Sequence, residues 1–587
     1  MELIDAIEKT RVDQVELFRG PRPRQFGSLV LTGHHLIFAP AESERNTSEF
    51  WLLHRAVDRV LVEATSNAVE APALLHLKCK NFLICSFNVP NQNDCNAVAR
   101  SIERLSNLNN IELEYPFYNP KSFEFLDDGW TAFDIDHTFA ALSLAAGDRW
   151  RISTINKNFE VCPSYPERVI VPRTVRDDHL GISATYRDSS RFPVLAYFHA
   201  ASQSSIMRCG QPLVSPTSRR CKEDESVLNA LITPNTKGVI FDTRTEAVAV
   251  SARAKGGGKE QRYHYSQWRY VHGNLPRMRD YKESLTKLIE ACVDAHDSDK
   301  WLSKLAASLW LQYVADGLTA AASIAQWIHC SEQGKLPVVV HGGDGLDTTL
   351  LVTSLAQILL DPDARTVRGF QAIVEREWIT AGHPFAVRCA HGAFAQGMIT
   401  GVHESPIFLS FLDCVWQLQR QYPSSFEFNQ EFLILLAEHA YASEFGSFLG
   451  NNEAEKARHG VKERTASLWS YVNHPKVLVA YINPVYKPYD STLFPSVAAQ
   501  SIVLWERFYL RWQRNWAKFD EIFDTMTAWK ARANELRAKL LARSTSNACP
   551  PPLPPRNPPT TAPNSNAAVS NGKDADLIDL EAKVAAM

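Results

Sequence analysis

The sequence contains no Cys-x-x-Cys pair, which excludes the common four-thiolate zinc modules. It has no Gly-Lys-Ser or Gly-Lys-Thr step, and so no nucleotide P-loop. No apolar run is long enough to span a bilayer. The start, Met1-Glu2-Leu3-Ile4-Asp5, lacks the basic segment and apolar core of a signal peptide. Neither charge sign is in excess: the net charge is −3, which disfavours general attraction to nucleic acid or anionic membranes. Any anion binding must be local. Without a secretory signal, the eleven scattered cysteines read as reduced cytosolic thiols, mostly buried. The Asn46-Thr47-Ser48 sequon then stays unmodified. What is present is a chain of 587 residues, 45% hydrophobic and 22% charged. That composition fits a globular protein, and the length corresponds to about three or four domains.

One segment carries most of the information. Val338-Val339-Val340 is an apolar, strand-like run, and Leu350 to Leu360 is helix-like. Between them lies the Gly-rich stretch His341-Gly342-Gly343-Asp344-Gly345-Leu346-Asp347-Thr348. A loop in this setting turns several backbone N–H groups toward one anion at a helix N-terminus. Thr348 offers a neutral hydroxyl suited to capping the helix behind it. Asp344 and Asp347 read as loop-shaping residues whose carboxylates accept backbone N–H groups, and their charges would repel a phosphate.

Two segments read Cys, five residues, then Arg, a spacing that can set a thiolate and a guanidinium around one phosphate. In Cys162-Pro163-Ser164-Tyr165-Pro166-Glu167-Arg168 the two prolines remove N–H groups that a phosphate cradle needs. Cys414 lies in an apolar run, Ile407 to Leu418, that reads as a buried helix without glycine, and Arg420 follows just past it. Lys255-Gly256-Gly257-Gly258-Lys259 reads as a flexible loop, and His34-His35 beside Gly33 as part of a hairpin and not a metal site. Neither a metal nor an organic cofactor is expected.

The organisation is multidomain. Residues 1–108 form a β-rich module. Gly27 to Phe38, with a turn at Thr32-Gly33, predicts a hairpin; Phe50 to Leu53 and Leu74 to Val89 add strands. Cys95, Val98, Ala99, Ile102 and Leu105 then share one helical stripe. Strands closed by one C-terminal helix follow the order of a pleckstrin-homology fold. Arg19, Arg22 and Arg24, on a Pro-stiffened loop, are placed either to grip a phosphoinositide headgroup or to form a solvated basic turn. Residues 120–505 form a second block. In 513–543 an unbroken heptad seam runs through Phe519, Ile522, Met526, Trp529, Ala533, Leu536 and Leu540. The seam is read as a coiled coil with a partner helix, the alternative being an amphipathic helix packed on its own chain. The tail, 544–587, reads as disordered and Pro-rich. Pro551, Pro554 and Arg556 match a ligand pattern for Src-homology-three domains, or form a stiff linker. Leu577-Ile578-Asp579-Leu580-Glu581 resembles a clathrin-box peptide, a pattern short enough to arise by chance.

The loop at 341–349 resembles the phosphatase loop of the myotubularins, which reads His-Cys-Ser-Asp-Gly-Trp-Asp-Arg-Thr in active members. Gly342 stands at the nucleophile position and Thr348 at the phosphate-binding Arg position, while Asp344 keeps the place of an acidic catalytic residue. Gly343 and Leu346 also depart from the pattern. The resemblance continues through Asn158 to Pro166, Arg191 to Tyr197, Arg208 to Leu213 and Asp242 to Arg244. After the loop it runs through Leu360 to Pro362, Arg365 to Phe370, Glu377 to Phe385, Phe426 to Asn429 and Phe445 to Asn451. It identifies the chain as a member of the inactive, pseudophosphatase branch of the family. The implied fold is a PH-GRAM domain, an α/β cysteine-phosphatase-like domain and a coiled-coil helix. Active members remove the 3-phosphate from phosphatidylinositol 3-phosphate and the 3,5-bisphosphate; inactive members pair with them through the coiled coil. The resemblance therefore implies a non-catalytic regulatory subunit, cytoplasmic and peripheral on endosomal or other endomembranes, in endocytosis and autophagy. Its partners would be an active myotubularin-family phosphatase, phosphoinositide membranes and, through the tail, Src-homology-three proteins and clathrin, with no nucleic acid. The alternative is an endocytic phosphoinositide-binding scaffold that needs no enzyme partner.

Overall fold

The structure is a computed structural model. It describes residues 3–41, 48–65, 70–108, 110–114, 124–214, 219–234, 236–294, 298–331, 335–395, 403–514 and 516–546. The Asn46 sequon, Pro551, Pro554, Arg556, Leu577 and Leu580 lie outside these. The chain divides into two compact units, residues 1–514 and 515–587.

The first unit begins with a seven-stranded antiparallel sheet of order β4-β3-β2-β1-β7-β6-β5. Its strands are β1 (Arg11–Arg19), β2 (Gln25–Leu31), β3 (His35–Pro40), β4 (Phe50–Leu53), β5 (Val57–Ala64), β6 (Ala73–Cys79) and β7 (Ile84–Val89). The expected hairpin is β2–β3, closed by Thr32 N–H donating to the His35 carbonyl at 2.9 Å. His34 and His35 sit in it, as read. The expected run Leu74 to Val89 is two strands, split at a tight turn where Phe82 has φ +69°. The helix Gln92–Ser106 starts at Asn91, whose side chain accepts the Asp94 N–H at 2.8 Å. Its stripe of Cys95, Val98, Ala99, Ile102 and Leu105 is buried on the sheet. Each fully buried Ile or Leu of this kind contributes about 1.5–3 kcal/mol.

A two-stranded sheet, β8 (Trp150–Ser153) and β9 (Val169–Pro172), follows. The central sheet comprises β10 (Val194–His199), β11 (Ser204–Cys209), β12 (Gly238–Asp242), β13 (Trp268–His272) and β14 (Pro337–His341), in order β10-β11-β14-β12-β13. Only β10 runs antiparallel; the others are mutually parallel. A parallel sheet must be covered on both faces, and the period of two shows how this is done. Ile206, Val239, Phe241, Val338 and Val340 enter the large core built with the helices Trp310–His329, Thr348–Leu360 and Ile407–Gln421. The intervening Met207, Ile240 and Val339 enter a second core with Trp150, Leu228 and Trp268.

Three expected boundaries move. The second block does not stop at 505: Trp505, Phe508, Tyr509 and Leu510 are core residues, anchored where Trp310 Nε1 (2.8 Å) and Tyr509 OH (2.9 Å) both donate to Asp413. Trp512 packs against the cores of both blocks and donates to the Asn81 carbonyl at 2.9 Å, so residues 1–108 and the α/β block form one unit. The C-terminal helix accordingly starts at Ala517, not 513, and extends to Ser546, past the expected limit of 543. Along its seam Ile522 and Leu540 are exposed and Met526, Trp529, Ala533 and Leu536 half-buried; the Phe519 side chain lies outside the described set. Among the described residues no helix is long and apolar enough to cross a membrane. Ten cysteines are described, all free; nine are buried and Cys330 is exposed.

Candidate functional site

The Gly-rich loop leaves the carboxyl end of β14, flanked by β11 and β12, and runs into the helix Thr348–Leu360. The carboxyl ends of parallel strands are where such sheets place their ligands. Local geometry explains the glycine at 345: its φ is +78°, and a Cβ there would lie 2.4 Å from the Cys209 carbonyl oxygen. The loop is braced from behind by the buried Arg191. Its guanidinium donates to the carbonyls of Gly345 (3.2 Å) and Ala381 (2.9 Å) and to Ser164 Oγ (2.9 Å). Gln211 N–H donates to the Gly343 carbonyl at 2.7 Å.

His341 is not a free base. Its Nε2 is 3.1 Å from Glu260, which also takes Arg187 at 2.6 Å; Arg187 in turn forks onto Asp224, and all of these side chains are buried. Burial alone would raise the Glu260 carboxyl, but its contacts with His341 and the Arg187 guanidinium outweigh it and hold it well below the usual range.

Asp344 behaves as read, accepting the Leu346 N–H at 3.1 Å. Burial, with the nearby Asp347 charge, raises its carboxyl above the ordinary value. Asp347 does not. Instead of shaping the loop through N–H groups, it takes the buried Arg388 guanidinium through Nε (3.0 Å) and Nη2 (2.8 Å). Its carboxylate is therefore paired with a guanidinium, which offsets the repulsion expected of it. His383 lies 3.4 Å from Asp347, and burial pulls it down to about 3, so it stays neutral. Thr348 does not cap the helix: the N-cap position is Asp347, and the Thr348 hydroxyl pairs with that of Thr243 at 2.8 Å. The cap expectation failed because a partner distant in sequence, just past β12, claims the hydroxyl.

The Gly-rich run 255–259 is also not a flexible loop. Gly257 and Gly258 are buried, and the Gly258 N–H and Arg244 (2.5 Å) both donate to Gln211 Oε1. The two rival Cys–Arg spacings carry no loop. Cys162 is buried while Arg168 pairs with Asp136 at the surface, and Cys414 and Arg420 lie in the helix Ile407–Gln421.

The three arginines of the β1–β2 turn divide. Arg19 is half-buried, donates to Gln25 Oε1 at 2.7 Å and lies 4.5 Å over the Phe50 ring. Burial, with the nearby Arg22 charge, lowers its pKa. Arg24 is exposed, pairs with Glu16 at 3.4 Å and lies over Phe18. Arg22 is exposed on the turn. The turn is seated on the rest of the unit at Gly20, where φ is +50° and a Cβ would meet the Trp512 carbonyl oxygen at 2.3 Å.

Sequence reasoning assigned no role to Arg191, Gln211 or Thr243, although all three lie in the stretches that carry the family resemblance. Nothing in the sequence signals Arg388.

Comparison with known proteins agrees with this architecture. Residues 114–457 match the myotubularin-like phosphatase domain, and residues 10–106 match the GRAM domain of MTMR6-9. The chain is 50% identical over 550 residues to Myotubularin-related protein 9 of Caenorhabditis elegans, covering 92% of this chain and 96% of that one. It is 46% identical over 541 residues to Myotubularin-related protein 9 of Homo sapiens, covering 92% and 96%. Phosphatidylinositol-3,5-bisphosphate 3-phosphatase MTMR2 of Bos taurus is 36% identical over 420 residues, covering 71% of this chain and 64% of that one. Two family domains in order and similarity along nearly the whole length lead to one assignment: the chain belongs to the myotubularin family.

Proposed function

We propose that this chain is a catalytically inactive myotubularin that binds an active 3-phosphoinositide phosphatase of its own family and regulates it on endosomal membranes, in endocytosis and autophagy. The observation that carries the reading is the loop, which keeps its strand–loop–helix frame but has glycine at 342 and threonine at 348. A cysteine phosphatase needs a thiolate to attack phosphorus and a guanidinium to hold the phosphate oxygens in the transition state. Glycine has no group to attack with. A Thr hydroxyl is neutral and is already paired with Thr243. The helix Ala517–Ser546, whose seam carries exposed Ile522 and Leu540, supplies the partner surface. The chain should co-purify with an active relative, and deleting 513–543 should release it. An active relative retained after that deletion would place the contact outside this helix.

In this reading the β1–β2 turn contributes membrane contact through Arg22 and Arg24, while Arg19 acts as the strut that fixes the turn. Replacing Arg22 and Arg24 by Ala should reduce sedimentation of the chain with phosphoinositide liposomes. The wild-type binding should weaken as salt rises, because exposed charges are screened within about 8 Å at physiological ionic strength. Unchanged sedimentation of the variant across a salt series would assign membrane contact to another surface or to the partner.

A further inference from the structure

Thr243 occupies the space beside Gly342. It follows β12 directly, and its N–H donates at 2.8 Å to the carbonyl of His341, the residue before that glycine. Its side chain is buried, and its hydroxyl is held at 2.8 Å by that of Thr348. A Cβ added at 342 would lie 2.7 Å from Thr243 Oγ1, 3.3 Å from Thr349 Oγ1 and 3.4 Å from Thr348 Oγ1. The first distance is shorter than real Cβ contacts. Thr243 cannot relieve it freely: turning χ1 breaks the bond to Thr348 and re-seats a methyl group in a packed site. The backbone does not itself call for glycine, because Gly342 is not among the residues with positive φ. The demand comes from Thr243.

We infer that Thr243 is a third determinant of the loop's inactivity: it closes the space that a nucleophile's side chain at 342 would enter. The inference rests on reading the loop as a degenerate phosphatase loop. It is separate from the missing thiol and guanidinium, since it predicts that a thiol restored at 342 is displaced from the cradle while Thr243 and Thr348 keep their bond. Thr243 is a positioning residue and touches no reacting atom. A thiolate gains its low pKa by sitting among the loop N–H groups at the helix N-terminus. A thiol pushed aside by Thr243 forfeits that stabilisation.

The test uses the full chain carrying Gly342→Cys, alone, with Thr243→Ser and with Thr243→Ala. The readout is alkylation by iodoacetamide at position 342, followed by peptide mass spectrometry from pH 5 to 9. In that step the thiolate forms the S–C bond, iodide leaves and the thiol proton goes to buffer. Cys330, exposed in the structure, serves as internal control. Thr243→Ala should move the pH midpoint down by about one unit and speed alkylation at pH 7 about tenfold, with Cys330 unchanged. Thr243→Ser, which keeps the hydroxyl but loses the methyl that locks χ1, should fall between Thr and Ala. A low midpoint with Thr243 intact, or an unchanged midpoint with Thr243→Ala, would overturn the inference. Thermal unfolding of Gly342→Ala, Thr243→Ala and the double variant gives an independent check that does not need the cysteine variant to fold. Gly342→Ala should lower the midpoint with Thr243 present and much less with Thr243→Ala; strict additivity would overturn the inference. Phosphatase turnover by the wild-type chain bears on the pseudophosphatase reading and leaves these outcomes untouched.

Discussion

The chain, freed of co-purifying phosphatases, is expected to release no phosphate from phosphatidylinositol 3-phosphate or the 3,5-bisphosphate. The magnitude follows from the chemistry. In a comparable catalytic unit, loss of the nucleophile alone lowers turnover about a million-fold. Here the phosphate-gripping guanidinium is missing as well, and Thr348 is bonded to Thr243 in its place. Arg388 does not substitute for it: its guanidinium is committed to Asp347 and to the His403 carbonyl. Gly342→Cys with Thr348→Arg should also stay far below an active relative, because Gly343 and Leu346 depart from the family loop and Thr243 remains. Vanadate-sensitive turnover that persisted in the wild-type chain through rigorous purification would contradict this prediction.

Changing Ile522 and Leu536 to Asp should abolish capture of the partner phosphatase. Both lie on the seam of the helix Ala517–Ser546, Ile522 exposed and Leu536 half-buried. In a paired helix each Asp would bury a carboxylate without a counter-charge, at a cost of several kcal/mol unless the helices separate. Since about 1.4 kcal/mol is a factor of ten in affinity, two such sites move even a nanomolar complex out of the measurable range. The unit spanning 1–514 should keep its unfolding midpoint, because neither residue belongs to it. Undiminished capture by the double variant in a pull-down would move the interface to that first unit.

The parts legible in the sequence are those whose periodicity is clean. The hairpin β2–β3 and the helix Gln92–Ser106 follow the period of two and the helical stripe, and the loop at 342–347 stands out because strand and helix frame it. Strands β1 and β5 escaped for a physical reason. Each carries a register break, between Val12 and Val15 and between Val57 and Arg59, and at the first Gln14 adopts φ +59°. A bulge shifts the inward-facing set by one residue and erases the alternation. At the site, residue types were readable but long-range partners were not. Asp347 looks like a turn residue until Arg388 is folded onto it, and Thr348 looks like a cap until Thr243 takes its hydroxyl. The boundary at 505 failed because Trp505 gains its place from Gln430 and Trp416, and Tyr509 from Asp413 and Trp310, all distant in the sequence.

The chain is expected to act on phosphoinositides through a partner and not through its own loop. The deciding measurement is 3-phosphatase turnover by a co-purifying active relative on phosphoinositide liposomes as this chain is titrated in. The chain alone should give no signal. The relative's turnover should change saturably, reach its limit at a fixed stoichiometry and lose the change with the Ile522→Asp, Leu536→Asp variant. Turnover by the chain alone, or a relative whose rate is unaltered at saturating chain, would contradict this expectation.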